Sequence, residues 1–176
     1  MLRFSNAIAL INEWIGRAIS WLTVVMVLVT FSIVVLRYVF NTGWIAMQES
    51  VIYMHALVFM LGAAYTLNKD GHVRVDIFYS KMSANKKAVV DILGNILFLI
   101  PVCIFIYWSS WEYVTDSWEL KESSREAGGL PWIYLLKITI LLMPALLIIQ
   151  AIANMARDAH QIMHKKDNDN KLVDEQ

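Results

Sequence analysis

The chain is poor in cysteine and lacks the short motifs by which many enzymes are recognised. Cys103 is its one cysteine, which excludes an internal disulfide and the paired thiols that a membrane thiol oxidoreductase requires. The sequence also lacks a nucleotide-binding glycine loop, a nucleophile elbow and an HExxH helix. It therefore gives no support for an enzyme, and we expect no catalytic residue, cofactor or bound metal.

Charged residues are absent from four stretches of 19 or 20 residues, which run from Ala18 to Leu36, Ser50 to Asn68, Ile92 to Trp111 and Ile138 to Ala156. A bilayer core about 30 Å thick needs roughly 20 helical residues at about 1.5 Å each, so each stretch is long enough to cross once. Whole helical turns in these stretches are apolar on every face. The sequence therefore predicts an all-α integral membrane protein with four transmembrane helices.

The borders of these stretches predict how the chain is divided. We expect one membrane domain over residues 1–164, a mobile charged tail over residues 165–176, and spans near residues 15–37, 45–68, 86–120 and 131–160. Apolar and polar residues interleave over residues 1–17, which predicts a short interfacial helix ahead of the first span. Pro101 lies inside the third span, where its missing amide donor predicts a kink.

Basic residues are distributed unevenly between the two sides of the predicted bundle. Eleven of the 15 Lys and Arg residues lie in the N-terminal segment, the loop after Asn68 and the tail. The other side has only Arg37, Lys121, Arg125 and, just inside the fourth span, Lys137. This excess predicts that both termini lie in the cytoplasm and that the acidic loop between the third and fourth spans faces outward.

Four ionisable residues mark the outer ends of the predicted spans: Arg37, Glu49, Glu112 and Lys137. Each flanks a charge-free run of nearly equal length, so Glu49 and Lys137 should lie at similar depth and could neutralise one another across the bundle. A structural ion pair, or charged side chains that extend to the membrane surface, is the favoured interpretation, and a coupling-ion or proton site is the alternative. For His55, near the centre of the second span, a hydrogen bond to a neighbouring helix or partner is favoured over a proton relay.

Small residues form a stripe along the second span. Glu49, Ala56 and Ala63 recur at seven-residue spacing, which predicts a face that allows close approach of another backbone. That neighbour could belong to the same bundle or to another subunit.

The loop after the second span contains a possible pair of metal ligands, His72 and Asp76. Two candidates in a turn do not form a coordination set. We therefore expect Arg74 and these neighbours to bridge the loop instead.

Five short motifs follow one another along the chain: Arg37-Tyr38-Val39-Phe40-Asn41, Gln48-Glu49, Leu61-Gly62-Ala63-Ala64-Tyr65, His72-Val73-Arg74-Val75-Asp76 and Gly128-Gly129-Leu130-Pro131. Their order, their spacing and the four-span layout resemble the small membrane subunit (DctQ-like, or Q subunit) of tripartite ATP-independent periplasmic (TRAP) transporters. The resemblance covers roughly residues 15–155. It implies a secondary transporter in three parts, of which this chain is the smaller membrane part.

In that family the large subunit carries the substrate and sodium sites and moves as an elevator, whereas the small subunit braces its static scaffold. The resemblance thus implies an accessory subunit for the sodium-driven import of organic acids, placed in the bacterial inner membrane. The implied partners are the large permease subunit (DctM-like), a periplasmic solute-binding protein and membrane lipids, with no nucleic acid. We expect the small-residue stripe, or the surface around Arg37 and Lys137, to contact the large subunit. The outer loop from Trp118 to Trp132 is the expected contact of the binding protein.

Two other functions stay open. One is an autonomous small proton-coupled transporter in which Glu49 is the binding carboxylate, and the other is a membrane anchor of a redox complex. A bis-histidine haem site is disfavoured, because His72, His160 and His164 all lie on the predicted cytoplasmic side, away from His55. Transport by this chain alone in liposomes, or a haem absorbance band, would support the respective alternative.

Overall fold

The computed structural model describes the backbone of residues 2–73 and 76–174 and the side chains of residues 5–73 and 77–163. This part of the chain consists of α1 (Leu2–Tyr38), α2 (Ile45–Asn68), α3 (Asp76–Tyr79), α4 (Ala84–Gly94), a π-helical turn (Asn95–Leu99), α5 (Ile100–Glu119) and α6 (Ile133–Asp174). Four helical segments are long and apolar enough to cross a membrane: Ser5–Tyr38, Ile45–Asn68, Ala84–Glu119 and Ile133–Met163. The predicted all-α fold with four membrane helices is confirmed.

The helix α6 lies at the centre of the bundle. It packs against α1, α2, α4 and α5, and a third of its apolar stretch is buried inside the chain, far more than in the other three membrane segments. The core joins Ala64 of α2, Cys103 of α5 and Leu147 of α6. Two of these three side chains are small, so the helices can approach closely. Close packing of this kind holds helices together in a membrane, where no hydrophobic effect acts between them.

The N-terminal segment differs from its prediction, because residues 2–17 continue α1 without a break and form no separate interfacial helix. Ser5, Ile8 and Asn12 are buried, and the Ser5 hydroxyl donates to the Ala153 carbonyl of α6 at 2.8 Å. These residues recur every three to four positions, so one side of the segment is covered by the bundle. The segment is therefore part of the helical packing.

Close contact between α1 and α2 depends on Gly16. A Cβ atom built at this position would overlap the ring of Tyr65. A side chain would therefore push the two helices apart.

The distortion predicted at Pro101 takes the form of a π-helical turn. Pro101 has no N–H, and in a regular α-helix its ring clashes with the carbonyl four residues earlier. The Ile100 N–H accordingly donates to the Asn95 carbonyl, five residues back. The extra residue in this turn moves the carbonyls away from the proline ring.

The helix α6 extends into the segment predicted to be a mobile tail. The mobility of residues 165–176 stays a prediction.

Candidate functional site

Glu49 lies in the first part of α2, at the end of the bundle formed by residues 39–44 and 120–132, which we call the loop end. One carboxylate oxygen accepts the Leu130 N–H at 2.6 Å, and the other accepts the Ser124 hydroxyl. The Ser124 N–H in turn donates to the Leu130 carbonyl at 3.0 Å. Glu49 therefore fastens both arms of the loop between α5 and α6 to the start of α2.

The glycine pair in this loop is required by its shape. Gly128 has a φ of +81°, a left-handed conformation that residues with a side chain rarely adopt. Gly129 faces the Ser124 side chain and the Glu49 carboxylate, and a Cβ atom there would overlap both. The glycine pair of the fifth motif thus also makes room for the carboxylate of α2.

A second charged contact holds the beginning of the same loop. After α5, Lys121 has a φ of +49°, and the Glu122 N–H donates to the Ser117 carbonyl at 3.0 Å, which closes a Schellman-type cap. This turn directs Glu122 back toward the helices, where its carboxylate accepts the Ser117 hydroxyl at 2.7 Å and pairs with the Lys137 ammonium of α6.

The environment of the Glu122 carboxyl favours its charged form. The hydrogen bond from Lys137, followed by that from Ser117, lowers the pKa of the Glu122 carboxyl below its usual value. The Lys137 ammonium also lies 3.8 Å from the centroid of the Tyr113 ring, a cation–π geometry. This cluster therefore fixes the loop to both α5 and α6.

The predicted pairing of Glu49 with Lys137 is wrong. Glu49 bonds to Ser124 and Leu130, and Lys137 bonds to Glu122. The loop between α5 and α6 folds back over the bundle and supplies a separate partner to each. Of the two, only Lys137 forms an ion pair, and its partner is Glu122.

The remaining predicted residues lie in different places. Arg37 is exposed at the loop end and lines a small crevice with Gln48. Ala56 is half-buried, whereas Ala63 packs against the core. Nε2 of His72 lies 3.3 Å from the carbonyl oxygen of Ala63. The small-residue stripe therefore serves packing within the bundle at Ala63.

Arg74 and the side chain of Asp76 lie outside the described residues, so the predicted bridge in their loop stays a prediction. Within residues 5–73 and 77–163, no three His, Cys, Asp or Glu side chains come together as a metal ion would require.

A network of side-chain amides at the opposite end of the bundle was missed by the sequence analysis. Gln150 of α6 is fully buried. It accepts from Asn12 of α1 at 2.7 Å and donates to Asn68 of α2 at 3.2 Å and to Asn154 at 2.8 Å. The sequence feature that could have revealed this network is the pair Gln150 and Asn154, two uncharged polar residues in an apolar span. Their spacing of four positions puts them on one helix face. Interhelical hydrogen bonds of this kind connect membrane helices.

The amide network continues into the backbone and toward charged residues. Asn68 donates to the Ala9 carbonyl at 3.3 Å, and the guanidinium of Arg157 donates to Asn154 at 2.5 Å. Nearby, Glu13 pairs with Arg17 at 2.6 Å and with Lys69 at 3.1 Å. Three membrane helices, α1, α2 and α6, are thereby joined at this end, which we call the terminal end.

A cavity of about 940 Å³ opens beside the amide network. It is lined by the end of α2, by α3, by α4 and by α6, including Lys69, Tyr79, Asp91 and Arg157. The Tyr79 hydroxyl donates to Asp91 at 2.6 Å. All its lining residues lie toward the terminal end, so the cavity does not reach Glu49.

Comparison with known proteins identifies the family. Residues 26–161 match the profile described as "Tripartite ATP-independent periplasmic transporters, DctQ component". A Haemophilus influenzae protein named as a TRAP transporter small permease protein is 33% identical over 103 residues, which cover 56% of this chain and 63% of that protein. The C4-dicarboxylate TRAP transporter small permease protein DctQ of Vibrio cholerae is 25% identical over 88 residues, or 50% of this chain and 38% of that protein.

The aligned region spans less than two thirds of either relative, and no solved structure matches the chain. The family profile, however, covers more than half of the chain, and it confirms the family predicted from the ordered motifs. The chain therefore belongs to the DctQ component family of tripartite ATP-independent periplasmic transporters, whose members are transporter subunits and not enzymes.

Proposed function

We propose that this chain braces the static scaffold of a large elevator-type subunit in a tripartite secondary transporter that imports organic acids with a sodium gradient. The observation that carries the proposal is the position of Glu49. Both its carboxylate oxygens accept hydrogen bonds from the loop between α5 and α6. A carboxylate occupied in this way fastens the protein together and is poorly suited to binding and releasing a coupling ion.

The arrangement of the helices suits a static support. An elevator needs one part that stays fixed while another slides, and the fixed part gains from helices that are joined at both ends. The loop end is joined by Glu49 and by the Glu122–Lys137 pair, and the terminal end by the amides around Gln150. Almost no residue in the apolar stretches of α1, α2 and α4–α5 is fully buried, which leaves surface on each for lipid or for a partner.

We place the terminal end in the cytoplasm and the loop end in the periplasm, in the bacterial inner membrane. The support is the excess of Lys and Arg in the N-terminal segment, the loop after Asn68 and the tail. In this orientation the loop at residues 120–132 faces the periplasmic binding protein, which we propose as a transient contact.

The substrate class is proposed from the family alone. One relative is named for C4-dicarboxylates, and we extend only the broader class of organic acids to this chain. Selection among such acids would belong to the large subunit and the binding protein.

Gene deletion in the organism that encodes the chain tests the proposal. Sodium-dependent uptake of at least one labelled acid from a panel of C4-dicarboxylates, 2-oxo acids and sialic acids should be lost, and a plasmid copy should restore it. The Glu49→Gln variant should also support uptake, provided that it assembles, because the role of Glu49 is to hold the loop.

The opposite results identify the alternatives. Liposomes that contain only this chain and accumulate an acid under a proton gradient would establish an autonomous transporter, above all if Glu49→Gln abolished the activity. Uptake that is unchanged by the deletion would also contradict the proposal.

A further inference from the structure

The outward face of α2 carries a polar side chain, His55, near the middle of a membrane span. Four residues of α2 are exposed, namely Gln48, Ile52, His55 and Phe59. Their spacings of four, three and four residues place them on one side of the helix. We call this set the α2 stripe. His55 lies near the middle of the apolar segment Ile45–Asn68.

On the exposed faces of α1 and α5, two hydroxyl groups bond to carbonyls of their own helices. Thr30 of α1 donates to the Met26 carbonyl at 2.7 Å, and Ser109 of α5 donates to the Ile106 carbonyl at 3.3 Å. Each hydroxyl is satisfied by its own helix, so it can face lipid at little cost. These two hydroxyls need no protein partner.

His55 has no such arrangement. Its ring stacks on Phe59, with centroids 6.3 Å apart, and within the described side chains neither ring nitrogen has a hydrogen-bond partner. An imidazole exposed to the hydrocarbon core would leave its N–H and its lone pair unsatisfied, which is costly. Ionisable residues in membrane spans almost always face protein or water. The α2 stripe is therefore better suited to another protein than to lipid.

Arg37 extends this surface to the loop end. It lines the same small crevice as Gln48, and among the described residues it has no ion-pair partner. Since His55 follows Gln48 by seven residues, the two side chains lie about 10 Å apart along the helix axis. The surface thus presents a cation near the bilayer boundary and a hydrogen-bonding ring about 10 Å deeper.

We propose that the α2 stripe and Arg37 form the docking face for a membrane helix of the large permease subunit. Charge complementarity requires that helix to present a carboxylate or a carboxyl-terminal carbonyl group opposite Arg37 and a hydrogen-bonding side chain opposite His55. This inference rests on the proposed function, because that function supplies the partner. It also moves the contact from the small-residue stripe through Ala63, which packs inside the bundle, to the adjacent exposed side of α2.

Photo-crosslinking in the assembled complex tests the docking face. The photoreactive residue p-benzoylphenylalanine is placed at Phe59 or, as a matched control, at Phe105 of α5, since the two side chains are 68% and 71% exposed. After illumination in native membranes, position 59 should give an adduct whose mass and peptides identify the large subunit, at least fivefold above position 105. Equal yields at the two positions, an adduct with a second copy of this chain, or an adduct with lipid alone would overturn the proposal.

A hydrogen-bonding requirement distinguishes a specific contact from simple proximity. His55→Leu should reduce the large subunit recovered with the tagged chain by roughly threefold to tenfold, the effect of losing one interhelical hydrogen bond, whereas His55→Gln should restore most of it. Equal recovery with both variants would contradict the role given to His55. If the unmodified chain recovers a large subunit but position 59 does not crosslink to it, the docking face is wrong and the proposed function stands. If the unmodified chain recovers none, both fail.

Discussion

Replacement of Gln150 by leucine probes the network that joins three helices at the terminal end. Gln150 is 0% exposed and makes three side-chain hydrogen bonds, to Asn12, Asn68 and Asn154. Leucine is similar in volume, so the change removes hydrogen bonds with little change in packing. We expect Gln150→Leu to destabilise the bundle.

The magnitude follows from the number of bonds lost. Interhelical hydrogen bonds in membrane proteins contribute about 0.6 kcal/mol each on average, which gives about 1.2 kcal/mol for the two bonds to α1 and α2, since Asn154 lies on α6 itself. Asn12 is 2% exposed, and leaving its amide without that partner adds about 1–2 kcal/mol. The free energy of unfolding should therefore fall by about 2–3 kcal/mol, which raises the unfolding equilibrium constant roughly 30-fold to 160-fold.

Reversible unfolding in mixed micelles, with a rising fraction of dodecyl sulfate, measures this change. The seven tryptophans supply the fluorescence signal, and circular dichroism gives an independent probe of the helices. Ile149→Leu is the matched control, because the neighbouring side chain is 43% exposed and its conservative replacement should change stability by less than about 0.5 kcal/mol. A Gln150→Leu variant within that same limit of the unmodified chain would refute the reasoning.

A double-mutant cycle then isolates one bond of the network. Asn12→Leu combined with Gln150→Leu should cost less than the sum of the two single changes, by about 0.6–1.7 kcal/mol. Strict additivity would show that the 2.7 Å contact between these side chains contributes nothing to stability.

Three further predictions concern the glycines and the loop end. Gly129→Ala should detach the loop and speed hydrogen exchange over residues 120–132. Gly43→Ala is the control and should leave that exchange unchanged, because Gly43 has open space around it. Equal exchange in the two variants would contradict the packing described. Gly16→Ala should lower the melting temperature, because the added Cβ atom meets an aromatic ring of α2. Gly94→Ala is the control and should preserve or raise the melting temperature, because alanine has the better helix propensity. A stable Gly16→Ala variant would argue against close contact between α1 and α2. The pKa of the Glu122 carboxyl is lower in the folded chain, so its contribution is complete above about pH 4.3, the usual glutamate value, and is lost as the pH falls through the folded pKa. Acidification should thus lower the hydrogen-exchange protection factors of the loop, that is, its exchange relative to the intrinsic rate at the same pH. Glu122→Gln should weaken that pH dependence, and an unchanged dependence would remove Glu122 from the explanation.

The membrane helices could be predicted from sequence because their signal is long and compositional. Nineteen or twenty residues without a charge leave few alternatives to a spanning helix, and the structure has four such segments. The N-terminal segment was harder, because the burial of Asn12 against α6 is a long-range contact that local interleaving of polar and apolar residues does not specify. A buried polar residue and an interfacial one look alike in a single sequence.

The partners of the charged residues could not be predicted for a related reason. Glu49 and Lys137 were singled out from their depth, but their hydrogen bonds depend on how the loop between α5 and α6 folds back. That path is set by the positive φ angles of Lys121 and Gly128, of which only the glycine has a clear sequence signal. Gln150 was missed because an uncharged polar residue does not interrupt a charge-free stretch.

The distribution of polar contacts bears directly on a bracing role. They are concentrated at the two ends of the bundle, whereas the core contacts between are made by small or apolar groups such as Ala64, Cys103 and Leu147. Joined ends resist splaying of the helices, and a close-packed middle resists sliding, because packed interiors do not deform continuously. A force transmitted to the α2 stripe through the static scaffold of the large subunit would then act on the bundle as one body. Loosening either end, by Gly129→Ala or Gln150→Leu, should therefore impair transport even where the large subunit still binds. Uptake at the unmodified rate in both variants would show that transport does not depend on the rigidity of the bundle.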